Sequence, residues 1–240
     1  MMKTERLDKL LSRLGYGSRK DVRYWLKEGW VTVDGEAASS PAQKVTADSV
    51  QLEGEPLDHP HGLTIIYHKP LGAVCSHKET GQLIYEDFPA RWAGRNPPLS
   101  SVGRLDKETS GLLILTDDGQ LNHKLTSPKH RVPKSYRALL ARPLEGNEAE
   151  VFAAGTLMLE GDDTPCLPAG LEVLGEREAL LTLHEGRYHQ VRRMFAAVGN
   201  HVETLTRISI GGLTLEATGL AAGEHSVIEP DELLQLIGHA

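Results

Sequence analysis

Apolar positions recur at helical spacing near the start of the chain. Leu7, Leu10, Leu11 and Leu14 fall at i, i+3, i+4 and i+7, which predicts an amphipathic helix over residues 6–14 with Arg6, Lys9 and Arg13 off its apolar stripe. Gly15 and Gly17 end it. Ser18 is placed to cap a second helix, whose stripe is Val22, Trp25 and Leu26 and whose stop is Gly29. The period then changes to two: Val31-Thr32-Val33 reads as a strand, and Asp34-Gly35 as the tight turn of a hairpin. Residues 54–63 contain two prolines, two glycines and no periodicity, so they read as a linker.

From Leu63 onward, strand-like runs are predicted at 63–67, 111–116, 135–141, 179–184 and 202–210. Helices are predicted after Asp118-Gly119, over 188–198 on the stripe Val191, Met194, Phe195 and Val198, and in the tail from Pro230 to Leu236. Strands outnumber helices without regular β-α-β alternation. This favours an α+β fold with a mainly antiparallel or mixed sheet flanked by helices over a doubly wound one.

With 240 residues, the chain can hold one core, or one core and a small module. Its apolar and charged fractions, 40% and 25%, are those of a soluble globular protein. The apolar runs are too short to span a bilayer, and the first residues lack the apolar stretch of a secretory signal, so a cytoplasmic protein without membrane association is expected. Cys75 and Cys166 fit no zinc or redox spacing, and His59 and His61 have no further ligands at a recognisable interval, so no metal is expected.

The net charge of −7 disfavours nucleic acid until its distribution is considered. Residues 1–30 carry eight basic side chains against four acidic ones, and residues 124–142 carry six and no acid. Nine carboxylates gather in residues 143–178. Screening limits the reach of distant charge to about 8 Å at physiological salt, so local basic stripes can still meet a phosphate backbone. A solvated helix face would leave the same stripes.

One segment stands out for its chemistry. In Gly103-Arg104-Leu105-Asp106-Lys107-Glu108-Thr109-Ser110-Gly111, a carboxylate lies between two cations just before an apolar strand. Taken alone this fits a surface salt bridge. It is not a phosphate loop, because the Lys-Ser/Thr that should follow the second glycine is absent.

Longer patterns resemble known families. Arg6-Leu7-Asp8-Lys9-Leu10-Leu11, Ser18-Arg19-Lys20 and Gly29-Trp30-Val31-Thr32-Val33-Asp34-Gly35 resemble an S4 RNA-binding domain. That resemblance implies RNA contacts from Lys9, Arg19, Lys20, Arg23 and Lys27. Gly103-Arg104-Leu105-Asp106 with Thr109-Ser110-Gly111-Leu112-Leu113, preceded by Lys69-Pro70-Leu71-Gly72, resembles the catalytic region of pseudouridine synthases. Lys134-Ser135-Tyr136 and Glu185-Gly186-Arg187-Tyr188-His189-Gln190-Val191-Arg192-Arg193-Met194 follow in that family's order.

The resemblance implies an S4 domain over 1–58, a linker at 59–63 and a synthase domain over 64–240. It implies an isomerase that breaks the N1–C1′ bond of a flipped uridine and joins C5 to C1′, with no cofactor and no nucleotide. Asp106 would act as nucleophile or base, Tyr136 would stack on the uracil, and Arg192, with Arg193 as competitor, would pair with Asp106. Arg104, Lys134, Arg187, His189 and Gln190 would contact RNA. Whether C1′ or C6 is attacked stays open.

Within the family, the segments around Tyr188-His189 and Asn200-His201 are similar to the RsuA branch acting on the small subunit. This implies 16S rRNA or a small-subunit assembly intermediate as partner, uridine 516 as target, and a monomeric enzyme. Ser135 and Arg192 depart from that branch's usual Thr and Lys while keeping chemical type. A large-subunit target and a non-catalytic S4-type assembly factor are the alternatives.

Overall fold

The computed structural model describes residues 4–77 and 79–238. Two compact units emerge: Met1–Thr64 with Tyr85–Ser100 and Thr116–Gly119, and Ile65–Ile84 with Ser101–Leu115 and Gln120–Ala240.

In the first unit, the helix Leu7–Arg13 buries Leu7, Leu10 and Leu11, the stripe its spacing predicts. Asp8 is also buried; the Arg6 guanidinium grips it with two hydrogen bonds of 3.0 and 2.8 Å and holds its carboxyl below the usual range. The helix Arg19–Lys27 starts at Ser18 with a full capping box, whose reciprocal partner is the Asp21 carboxylate. Val31–Val33 turns through Asp34 and Gly35, both at positive φ, into Glu36–Ala37, as an Asp-Gly turn requires.

Residues 54–63 are more structured than a linker. Glu55–Pro56 adds a strand beside Val50–Leu52, Leu57 is buried, and the Asp58 carboxylate accepts from both Arg91 and the Trp92 indole at 2.7 Å. The missing signal is that these partners lie more than thirty positions downstream.

The second unit is built on a mixed sheet, nine-stranded among the described residues. Its main path runs Gly170–Gly175, Glu178–Leu183, Lys134–Leu140, Val202–Ile210, Thr109–Thr116, Thr64–Lys69, His225–Val227. Most pairings are antiparallel; Val202–Ile210 lies parallel to Thr109–Thr116. The α+β expectation holds, and the five predicted strands appear within two residues of their expected ends. One core cluster packs Met194, Phe195 and Val191 of the helix Gln190–Ala197 against Leu181, Leu183 and Leu205 of the sheet. A second packs Leu112, Ile114, Leu121 and Leu125 with Leu233 and Ile237 of the terminal helix Pro230–Ile237. Among the described residues no helix is long and apolar enough to cross a membrane.

Candidate active site

Asp106 lies in a loop that other parts of the second unit hold in place. The Lys69 side chain, fully buried, donates to the carbonyls of Pro70 at 3.0 Å and Thr109 at 2.9 Å, with Lys107 at 3.5 Å. Burial pulls the Lys69 pKa down; the nearby Cys75, Asp106 and Glu108 oppose that shift. The amide of Gly72 donates to Lys107 O at 2.9 Å, and the Thr109 amide closes a turn onto Asp106 O at 3.0 Å. The backbone on both sides of the carboxylate is thus fixed while the side chain stays about one quarter exposed, at 28%.

The loop borders a cleft of about 400 Å³, a size suited to a small ligand or a single nucleoside. Asp106, Arg104, Lys134, Tyr136, His189 and Arg207 are among the residues around it. Strand register explains how they meet. Tyr136 lies opposite Leu181 on one side and Arg207 on the other, while Arg207 lies beside Gly111 and Leu205 beside Thr109. Side chains directly opposite share a face, so Tyr136, Arg207 and Thr109 look into the same space. Gly111 is essential to this: its φ is +109°, and a Cβ there would stand 2.2 Å from Arg207 O.

Arg192 is the clearest correction. The expected ion pair with Asp106 is not formed; its guanidinium donates to Val202 O and Glu108 O, each at 2.8 Å. The group facing the carboxylate is His189, with Nε2 3.4 Å from Asp106 Oδ1. The helix begins at Gln190, two residues later than its periodicity predicts, because His189 adopts a left-handed conformation (φ 47°). That twist sends the imidazole toward the loop and leaves Arg192 on the side of Glu108. Arg192 therefore secures the loop's backbone, two residues past Asp106. Arg193, its competitor, pairs instead with Asp162 at 2.7 Å.

Arg187 and Gln190, expected to contact RNA, are committed internally. Arg187 reaches Asp162, Glu185 and the carbonyls of Thr164 and Pro165; Gln190 bridges the Arg187 amide and Glu185. They brace the 160–165 loop and the helix start. Arg104 borders the cleft with its side chain 65% exposed, and among the described residues its ion pair is a long one, 3.8 Å to Glu79. Lys134 also lines the cleft, donating to Val132 O at 3.1 Å, and its pKa is pulled down to about 8, chiefly by burial and then by the charge of Arg207. In the first unit, Lys9, Arg19, Lys20, Arg23 and Lys27 are exposed, whereas Arg13, in the same basic stripe, is held by Glu5 and by Pro60 O.

Sequence reasoning missed Thr109, Arg207 and Tyr188 as cleft residues. Tyr188 stacks on His189 at 3.9 Å between ring centroids and is 70% exposed, an aromatic platform at the rim. Adjacency to His189 in the motif was the available signal for it. Arg207 offered none, since it reads as a polar strand position.

Comparison with known proteins identifies the family of the chain. A family model for RNA pseudouridylate synthases matches residues 63–197, and one for the S4 domain matches residues 5–50. The chain is 43% identical over 231 residues to "Ribosomal small subunit pseudouridine synthase A" of Pasteurella multocida, covering 95% of this chain and 97% of that one. The protein of the same name from Escherichia coli K12 is 40% identical over 237 residues, covering 97% and 100%. A solved structure described as "Crystal structure of pseudouridylate synthase" superposes with a TM-score of 0.68 at 37% identity, covering 96% and 99%.

Proposed function

The chain belongs to the RNA pseudouridylate synthase family, and on that premise we propose that it isomerises one uridine of small-subunit (16S) rRNA, uridine 516, to pseudouridine. The observation that carries the reading is the placing of Asp106 at a nucleoside-sized cleft with Tyr136 on its wall and cations around it. The small-subunit target rests on relatives of that name matching over nearly the whole length of both chains.

The target base cannot turn inside a stack, so it is flipped into the cleft at a cost of a few kcal/mol. Tyr136 stacks on the uracil, and Arg104, exposed at the mouth, engages the RNA backbone or the gap left behind. The Asp106 carboxylate, facing His189 and held by the braced loop, acts as nucleophile or base, and any bond it forms to the nucleotide is broken again before the product leaves. The glycosidic bond breaks, the ring turns, C5 joins C1′ and the C5 proton is lost while N1 gains one, so all atoms of the uridine are retained.

The modules assigned to this work are an S4 domain over 1–58 and a synthase domain over 64–240, joined at 59–63. The family-model matches at 5–50 and 63–197 support that division. A ribosomal RNA substrate implies a cytoplasmic setting. Mapping pseudouridine across both large rRNAs in cells lacking the protein tests the assignment: loss of one position in 16S rRNA is expected. Loss in 23S rRNA instead would make it a large-subunit enzyme, and no loss anywhere would favour a binding factor.

A further inference from the structure

Two buried side-chain atoms lack a hydrogen-bond partner among the described residues: Thr109 Oγ1 and Arg207 Nη2. Both residues are only 1% exposed, and both line the cleft beside Asp106. The parallel pairing of their strands, Leu205 beside Thr109 and Arg207 beside Gly111, puts them on one face. Arg207 is firmly seated there, because its Nε donates to Leu112 O at 2.7 Å, which fixes the guanidinium and leaves Nη2 unmatched. Buried donors are costly to leave unpaired, so two in one cleft call for a ligand acceptor.

We infer that Arg207 Nη2 and Thr109 Oγ1 receive a carbonyl oxygen of the flipped uracil and hold the negative charge that builds on it during isomerisation. This rests on the pseudouridine-forming reading of the cleft and adds two catalytic residues to it. When N1–C1′ breaks, its electron pair stays on the base and spreads over N1, O2 and O4. If a nucleophile adds to C6 instead, the C5=C6 electrons move toward O4. A carbonyl oxygen gains charge by either route, and fixed donors in a water-poor floor act most strongly on such charge.

The symmetry of the base adds a second consequence. Turning uracil about its N3–C6 axis exchanges N1 with C5 and O2 with O4. A stationary donor pair therefore meets a carbonyl oxygen before and after the turn, and need not move. Cytosine, with an amino group on C4, can satisfy the pair on one side of the turn only. The same two residues thus help select uridine.

Thr109→Val keeps the shape of the side chain and removes the hydroxyl; Arg207→Lys keeps the charge and removes the fork. Three quantities decide the matter: the single-turnover rate of pseudouridine formation on a 16S rRNA transcript at saturating enzyme, the Kd for that RNA, and the Tm. For Thr109→Val we expect a rate about 10- to 100-fold lower, a Kd within about threefold of wild type and a Tm no lower, since an unpaired hydroxyl gives way to a methyl group. For Arg207→Lys we expect a loss of about 10²- to 10³-fold. A Thr109→Val rate within about threefold of wild type overturns the inference, as does a slower rate accompanied by a lower Tm. Wild-type enzyme inactive on 16S but active on a 23S transcript would defeat the substrate assignment alone, and the same variant ratio is then read on the 23S RNA.

Discussion

Lys134 carries its charge where burial opposes it. Its pKa is about 8 in the folded protein against 10.5 for the free side chain, because it is desolvated beside the buried Arg207. Between those two values the unfolded chain binds more protons than the folded one, so this group makes stability rise with pH. Below pH 8 it is a standing penalty on the fold. Lys134→Met, close in volume, is therefore expected to be more stable than wild type at pH 7 in urea unfolding, with the gap shrinking from pH 8 to 10.5. A gap that does not change over that range would contradict the assignment. The penalty makes sense if the cation meets RNA. At this scale Asp106 and Tyr136 were legible because each lies in a contiguous motif. Arg207 was not, since its burial depends on Leu112 O, 95 positions away. The partner of Asp106 was read as Arg192 from the family resemblance, and nothing in that motif marks the left-handed residue that turns His189 toward the carboxylate.

The strands were legible where one face is buried and the other is not. Glu178–Leu183 alternates half-buried and buried positions, and its limits were read to within one residue. Gly170–Gly175 was missed because the rule fails there. It is an edge strand with Val173 and Leu174 both exposed, so its apolar residues mark no inner face. Glu148–Ala153 was missed for another reason: six residues are too few for a period, and its buried Glu148 is used to accept from the amides of Glu145 and Gly146. The strands Thr109–Thr116 and Val202–Ile210 approach closely at Gly111. Gly111→Ala would set a Cβ against the Arg207 backbone at a φ that L-residues resist. A loss of about 3 kcal/mol or more in chemical unfolding is expected, from backbone strain plus overpacking. A loss below 1 kcal/mol would mean that the strands can separate without penalty.

Across the whole molecule, charge is segregated: the chain is acidic overall, yet its S4 region displays exposed Arg19, Lys20, Arg23 and Lys27 on a helix whose buried residue is Val22. If these cations neutralise phosphates, Arg19→Ala with Arg23→Ala weakens rRNA binding and flattens the dependence of log K on log salt by about one to two, leaving the single-turnover rate at saturation nearly intact. An unchanged slope would make them solvated surface. The role of Asp106 depends on its braced loop, on the mixed sheet beside it and on a ribosomal RNA substrate together. The most direct test of that role is pseudouridine formation on 16S rRNA by purified wild-type and Asp106→Asn proteins, with RNA binding measured alongside. Wild type is expected to form one pseudouridine per transcript, and Asp106→Asn to bind equally well while losing at least about 10⁴-fold in rate. An Asp106→Asn protein that converts the uridine at the wild-type rate would contradict it.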